Sequence, residues 1–539
     1  MIGKTYRYYI LMILVSVMSY AQKNMEESID KNLLMDTCVG CELVELSLNG
    51  LINEVVKRNY ELYSEKSKVR VSEHKIGREE GIFEPNFQAS TGVSRTNVPN
   101  SAEQTLSRGF QDNYRDRVRS FESSISGLMS TGGEWKVGFS DNKKRSNLIS
   151  ETQDYDVEYS DGFSLSLKQP LLRGMGTDVT YAKINMAKLG NKINKTEYKN
   201  KLMGLVATTI HLYWRLYGTQ KLYESWKKTL IISENQLKNI QALAKYGKIP
   251  QTEVLEAGSS ILHKKTELMT LKTTINEIKN QLLSLLNVSS LSFQSSLFLV
   301  KDRPGIRKKQ EVFNVDKSYE KAIKNLPELQ LAELKLASKK LEQKYNENQL
   351  LPDLSLNGMV STLGLSNNKN NSLYCSGGGC NDQVSWNVSL NVEVPLYGNK
   401  RAKESLAISN INLRDSELAI ESFQKEIYNV ITTKVEQLQI EKFKLEQYQK
   451  EAEMKSKLLD IERQKMRLGK SRMRNILEYE DRLMSTERKW LSSVVNWKVA
   501  EALLLKATGD LLAHQNIELD FSEEVSSNVG QLSSMLLEQ

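Results

Sequence analysis

Four cysteines are the residues of this 539-residue chain whose spacing most directly suggests chemistry. They form two close pairs, Cys38 with Cys41 and Cys375 with Cys380. In an oxidising compartment each pair could form a local disulfide. A shared zinc site would need all four together, but the pairs stand 375 − 41 = 334 positions apart without an adjacent histidine. A redox-active CxxC is not favoured, because no alternating strand and helix pattern surrounds it.

The histidines do not form a catalytic or metal-binding pattern. Each is isolated on a helical stretch, without a second ligand at metal spacing; they are His74, His211, His263 and His514. The sequence also has no phosphate-binding glycine-rich loop and no nucleophile elbow. We therefore expect a protein that is not an enzyme and needs no cofactor or metal. Any energy that it uses must come from a partner.

The composition favours long solvated helices. Charged residues make up 26% of the chain, aromatic residues 7%, and there are only 8 prolines. The net charge is +8, and Lys4 and Arg7 lie in a leader, so the remainder carries 8 − 2 = +6. No basic block interleaved with aromatic residues is present, so a nucleic-acid partner is not expected.

The first 21 residues have the pattern of a secretory signal peptide. Lys4 and Arg7 precede an apolar run, and Ala21 ends a small-x-small cleavage site. No later segment has 18 or more apolar residues in succession, but a secreted chain can still enter a membrane as a β-barrel. Residues 22–43 read as an irregular lead.

Two turns at matching places organise the rest of the chain. Gly247 lies in AlaLysTyrGlyLysIlePro and Gly469 in MetArgLeuGlyLysSerArg, a shift of 469 − 247 = 222 residues. Glycine is common just past a helix end, because it accepts a left-handed conformation. Long helical patterns flank both turns, so each predicts the tip of a helical hairpin.

The chain reads as two similar halves, each of which ends in one of these hairpins. The first, residues 44–287, predicts a helix, strands at about 86–94 and 160–169, and a hairpin over 178–287. A linker over 288–315 follows. The second, residues 316–509, predicts a helix, strands at about 353–361 and 384–394, and a hairpin over 399–508. A tail over 510–539 completes the chain. The strands are predicted from the alternation of apolar and polar residues. Residues 95–156 are interpreted as one long loop, with a possible hairpin at Thr131-Gly132-Gly133 followed by alternation at Trp135, Val137 and Phe139.

Four such strands cannot close a membrane barrel, and open sheet edges in lipid are costly. Three copies would supply twelve strands, which is within the range of known barrels. The fold class expected is therefore an α+β membrane protein. It combines a trimeric 12-stranded β-barrel, four strands from each chain, with a long α-helical coiled-coil barrel.

The chain resembles the TolC-like outer-membrane efflux proteins over about residues 46–512. The matching features are the strand starts at Pro85 and Pro352, the ProLeu strand ends at Pro170 and Pro395, and the TyrGly-plus-ValLeuGlu tip. The resemblance implies a homotrimer in the outer membrane with a helical tunnel in the periplasm. It also implies a passive exit duct for drugs, small molecules or proteins, in tripartite efflux or type I secretion. Its partners would be outer-membrane lipid, a periplasmic adaptor and an inner-membrane pump of the RND, ABC or MFS type.

The resemblance further implies two groups of site residues at the hairpin tips. The periplasmic aperture would be lined by Glu478, Asn475, Glu253 and Glu256. Asn475 stands where the family has an acid, so a ring of Glu478 would make a mouth that favours cations, but less strongly than two acidic rings would. The adaptor would dock on Tyr246, Gly247, Leu468, Gly469 and Lys470. On a simpler interpretation, the aperture residues are ordinary solvated side chains, and the docking residues are no more than helix ends.

Two other functions remain as alternatives. A periplasmic adaptor also has a long helical hairpin, but it would need one hairpin and a carrier-like domain. A coiled-coil cell-envelope scaffold without a pore would leave the alternating strands unexplained.

Overall fold

The computed structural model describes residues 42–150, 157–288, 296–304, 314–379, 384–519 and 521. Eight strands are present in these ranges: β1 Glu42–Leu46, β2 Asn86–Pro99, β3 Asn113–Leu128, β4 Glu134–Ser146, β5 Glu158–Pro170, β6 Ser296–Val300, β7 Asp353–Ser366 and β8 Val384–Glu393. The first helices are α1 Leu48–Arg58, α2 Tyr60–Glu80, α3 Ala102–Ser107, α4 Asn147–Ser150 and α5 Thr177–Thr180. The first long hairpin is α6 Ala182–Lys245 and α7 Gln251–Leu285. Then follow α8 Val315–Asn325, α9 Pro327–Gln349, α10 Lys369–Tyr374, α11 Lys400–Arg467, α12 Met473–Ala507 and α13 Leu511–His514.

The chain divides into two compact units, which are described separately. The first comprises residues 1–67, 196–330 and 422–539, and the second comprises residues 68–195 and 331–421. The first unit contains most of both long hairpins, over residues 196–285 and 422–507. The second unit holds the large sheet. No helix among the described residues is long and apolar enough to cross a membrane.

The large sheet has six strands, in the order β2-β3-β4-β5-β7-β8, and every neighbouring pair is antiparallel. The prediction of four strands per chain is therefore wrong. The segment interpreted as one long loop over residues 95–156 contains β3 and β4, which insert between β2 and β5. The four predicted strands are present, and β2 and β7 extend five residues further than predicted, to Pro99 and Ser366.

Charge on the apolar face is the physical reason why β3 was missed. In a half-buried strand, alternate residues are apolar. In β3 the alternate positions that start at Arg115 read Arg, Arg, Arg, Phe, Ser, Ile, so the apolar signal is confined to Phe121 and Ile125. The sequence did show alternation in β4, at Trp135, Val137 and Phe139, and a glycine turn before it.

The turn between β3 and β4 requires glycine at position 132. Its φ is +85°, in the left-handed region that a side chain disfavours. An added Cβ would also meet the carbonyl oxygen of Gly174 at only 2.3 Å. The turn is closed by the amide of Met129, which donates to the carbonyl of Gly133 at 2.6 Å. This geometry joins the two strands into a tight hairpin.

The long hairpins pack through a heptad seam. Ala257, Ile261, Leu268, Leu271, Ile275, Ile278 and Leu282 are all buried on one side of α7. Together with Lys264 their spacing alternates between four and three residues, which is the period of a coiled coil. The 64 residues of α6 give a helix about 96 Å long.

A small parallel sheet joins the segment before the first helix to the segment that follows the first long hairpin. Strand β1 pairs with β6 from Glu42 opposite Ser296 to Leu46 opposite Val300. Just after β6, Asp302 accepts hydrogen bonds from the amide of Leu48 and from the hydroxyl of Tyr213, both at 2.7 Å. Burial is the main cause that raises the pKa of the Tyr213 hydroxyl, so this group stays a donor to the carboxylate at any ordinary pH.

Candidate functional site

The six-stranded sheet has one apolar face. Each of the six strands contributes one residue to a row across this face, and each residue stands directly opposite the next. We call it the apolar row; it consists of Phe87, Ile125, Val137, Leu165, Val360 and Trp386. Their side chains are exposed, Phe87 by 69%, Leu165 by 53% and Trp386 by 75%. Such a continuous exposed band is not the surface of a sheet that meets water.

The opposite face of the sheet is polar. The neighbouring positions form a polar row of Gln88, Ser124, Gly138, Ser164, Ser361 and Ser385. A hollow of about 750 Å³ lies on this part of the sheet, and its lining includes Asn86, Ser126, Lys136, Ser166 and Asn387. Strands that alternate between an apolar and a polar face are typical of a sheet with lipid on one side and water on the other.

The sheet of one chain is open. Strands β2 and β8 are its two outer strands in the described part of the chain. An unpaired edge exposes backbone N–H and C=O groups, which lipid cannot satisfy. In lipid, a single copy of this sheet would leave the outer edges of β2 and β8 unsatisfied.

The hairpin tips carry the predicted docking residues at the surface. Gly247 has φ +69° and Gly469 has φ +71°, so both turns use glycine in the left-handed conformation. Tyr246 is 80% exposed and Leu468 is 71% exposed. The amide of Lys470 donates to the carbonyl of Lys465 and closes the second turn. Their role in docking stays a prediction.

The predicted aperture residues have different surroundings. Glu478 pairs with Arg482 on the same helix, and its side chain is 56% exposed. The Asn475 amide donates to Glu462 at 3.5 Å and to Ser471 at 3.4 Å. Glu256 is exposed and Glu253 is half-buried. Their role in lining an aperture stays a prediction.

Glu462 and Ser471 are tip residues that the sequence reasoning did not identify. The hydroxyl of Ser471 donates to the Glu462 carboxylate, and this hydrogen bond is the main cause that lowers the pKa of Glu462. Lys465, at 3.3 Å, acts in the same direction. The carboxylate of Glu462 is therefore held in its charged form beside the second tip.

A buried charge network joins the two hairpins near the tips, and sequence reasoning missed it. Glu480 lies 2.8 Å from the Lys264 ammonium and 2.9 Å from the Arg463 guanidinium. The side chains of Lys264 and Glu480 are 1% and 0% exposed. The Lys264 ammonium also donates to Ser233 at 2.9 Å and to Ser260 at 3.1 Å. A lysine at a seam position of the α7 heptads was the signal that could have indicated this network.

Cys375 forms a disulfide. Its predicted partner Cys380 lies outside the described residues, as do Cys38 and Cys41, so both pairings stay predictions. Within the described ranges no group of three or more histidine, cysteine or acidic side chains is arranged to hold a metal ion.

A sheet with one apolar and one polar face, on a chain with two long helical hairpins, is typical of outer-membrane channel proteins. Residues 318–510 match the model of the family described as outer membrane efflux protein. This match confirms the predicted resemblance to the TolC-like outer-membrane efflux proteins and the predicted outer-membrane location. No curated protein sequence matches the chain.

Solved channel structures share the fold over most of the chain. A membrane protein from Pseudomonas aeruginosa is similar with a TM-score of 0.62 and 14% identity, over 88% of this chain and 92% of that one. The outer-membrane channel OprN has a TM-score of 0.62 and 13% identity, over 86% and 90% of the two chains. The CmeC outer membrane channel of Campylobacter jejuni has a TM-score of 0.58 and 13% identity, over 90% and 88%. At these identities the likeness is one of fold.

Proposed function

We propose that this chain is the outer-membrane exit duct of a tripartite efflux or type I secretion system. It acts as a passive homotrimeric channel for drugs, small molecules or proteins, and docks with a periplasmic adaptor and an inner-membrane pump. The apolar row, from Phe87 to Trp386, is the observation that carries this proposal. A scaffold or an adaptor would expose this apolar band to water, which is unfavourable, because neither protein spans a membrane with a sheet.

The proposed barrel has more strands than the sequence predicted, because each chain contributes six strands and not four. Three copies of a six-stranded sheet supply 3 × 6 = 18 strands, where four strands per chain would have given twelve. Barrels of 16 to 18 strands are wide enough to leave an aqueous channel. The polar row would line this channel, because serine and glutamine side chains are readily hydrated.

Reconstitution tests the proposal. The protein, purified in detergent and added to planar bilayers, is expected to produce stepwise ion conductance and to have the mass of three chains. A protein that forms no pore and runs as a single chain would count against the duct and favour a scaffold.

Neutralising Glu478 is expected to lower the cation preference of the pore. We propose that a ring of Glu478 contributes to the periplasmic aperture, where three carboxylates would attract cations. In Glu478→Gln the reversal potential under a KCl gradient should move toward that of an unselective pore. Glu234→Gln, a change in another half-exposed carboxylate, which pairs with Lys265 on the neighbouring helix, is the matched control. An unchanged reversal potential in Glu478→Gln would exclude this role.

A further inference from the structure

The apolar face of the sheet carries a cluster of cations at one end. Arg117 on β3 stands directly opposite Arg95 on β2 and Arg145 on β4. We call these three residues the arginine row. In the next row toward the apolar band, Arg119 stands opposite Lys143. Arg115 lies one row beyond, opposite Asn97. We call these six residues the basic cluster.

The basic cluster shares its face with the apolar row. Arg95 is eight residues from Phe87, Arg117 is eight from Ile125, and Arg145 is eight from Val137. An even separation along a strand places two side chains on the same face. A rise of about 3.4 Å per residue and a tilt of about 40° place the arginine row about 21 Å from the apolar row along the membrane normal. With the apolar row placed at the middle of an apolar band about 25 Å tall, the band ends about 12 Å from the row, and the cluster lies beyond it, at the level of the lipid headgroups.

The direction of the strands indicates which headgroups these are. Strand β2 starts at Asn86, shortly after α2 ends at Glu80, and it runs toward Pro99. The basic cluster is therefore at the end of the sheet away from the long helices α2, α6, α9 and α11. With these long helices on the periplasmic side, as the proposed function requires, the cluster meets the outer leaflet.

The arrangement lacks a counter-charge in the described part of the chain. Like charges directly opposite each other in a sheet destabilise it. The five arginines are exposed, and no described carboxylate forms an ion pair with any of them. The nearest acid on this face, Asp141, binds Lys369 at 2.6 Å instead. Lys143 lies 5.1 Å from the centre of the Tyr159 ring. An external anion would relieve this repulsion.

We infer that the basic cluster binds the phosphate groups of a glycolipid headgroup in the outer leaflet. Guanidinium groups bind phosphate through paired hydrogen bonds, so adjacent arginines suit it well. The apolar band directly below the cluster suits acyl chains. One ligand that satisfies both parts of this face is an amphiphile with a phosphorylated head. This inference rests on the proposed function for its orientation.

The test compares two triple variants that each remove three charges. Arg95→Gln with Arg117→Gln and Arg145→Gln removes the arginine row. Lys136→Gln with Lys144→Gln and Lys168→Gln removes three lysines from the polar face and is the control. The probe is bisphosphorylated lipid A, titrated onto the detergent-solubilised protein and counted by native mass spectrometry. Binding to the arginine variant should weaken by on the order of 100-fold, since each cation near an anionic surface contributes roughly fivefold. The control should bind as the unaltered protein does.

The inference would be overturned if the two triple variants bound lipid A equally well. It would also be overturned if the unaltered protein bound dephosphorylated lipid A as tightly as bisphosphorylated lipid A. Displacement of lipid A by inorganic phosphate at millimolar concentration would indicate a simple anion site and would overturn it as well. Arg117→Gln alone, expected to bind about fivefold more weakly, replaces the triple variant if the latter does not assemble. Conductance in bilayers of neutral lipid is measured in parallel. A pore without lipid A binding refutes only this inference, and lipid A binding without a pore refutes only the proposed duct.

Discussion

Replacing Leu165 by arginine is expected to prevent assembly of the protein in the outer membrane. Leu165 is in the middle of the apolar row, between Val137 and Val360, and 53% of its side chain is exposed. An arginine on the lipid face near the middle of a membrane costs about 2–4 kcal/mol. Three copies in a trimer would each carry this cost. The amount of trimer in the outer-membrane fraction, resolved on a gel without heating, measures the effect.

Ser164→Arg is the matched control, because it adds the same charge at the adjacent residue. Ser164 belongs to the polar row, opposite Gly138 and Ser361. We expect this variant to assemble normally and to conduct cations less well, since the added charge would face water in the channel. The reverse result, with Leu165→Arg assembling and Ser164→Arg failing, would show that the apolar face is not the lipid face.

Removing the Glu480 carboxylate is expected to destabilise the helical hairpins by about 3–5 kcal/mol, because it leaves buried charge without its partner. Lys264 is 1% exposed, and the carboxylate with which it forms an ion pair is that of Glu480, at 2.8 Å. Arg463 would lose its 2.9 Å contact as well. In Glu480→Ala, the helical circular-dichroism signal should disappear at a clearly lower temperature than in the unaltered protein.

Glu478→Ala is the control for this change, two residues away on the same helix. Glu478 pairs with Arg482 at the surface, where an ion pair is worth about 0–1 kcal/mol. Its melting temperature should hardly change. Lys264→Met combined with Glu480→Met should regain most of the lost stability, because apolar residues can replace a buried pair. Equal melting temperatures of Glu480→Ala and Glu478→Ala would show that the buried network adds no more stability than an exposed ion pair does.

Much of the architecture could be predicted from local pattern. Pro85 and Pro352 stand directly before β2 and β7, and Pro170 ends β5. Proline is disfavoured inside a helix and cannot donate to a strand ladder, so these boundaries depend on no distant contact. The glycines at the two tips have positive φ for an equally local reason.

Strand β3 could not be predicted in the same way. Strand β3 has charged residues on both faces in its first half, so its sequence alone resembles a solvated loop. It is a strand because β2 and β4 satisfy its backbone hydrogen bonds on both sides. That pairing joins residues up to 40 positions apart, such as Asn86 with Ser126, and local periodicity carries no information about it.

The sequence by itself determined the helical hairpins, their tips, four of the six strands of the large sheet and the resemblance to the outer-membrane efflux proteins. Only the tertiary structure decided that the sheet has six strands, that six cations share the face of the apolar row, and that Lys264 meets Glu480. The reason is that proline, glycine and apolar period act within a few residues. Strand register and buried ion pairs depend on which distant segments come together, and this is settled when the whole chain folds.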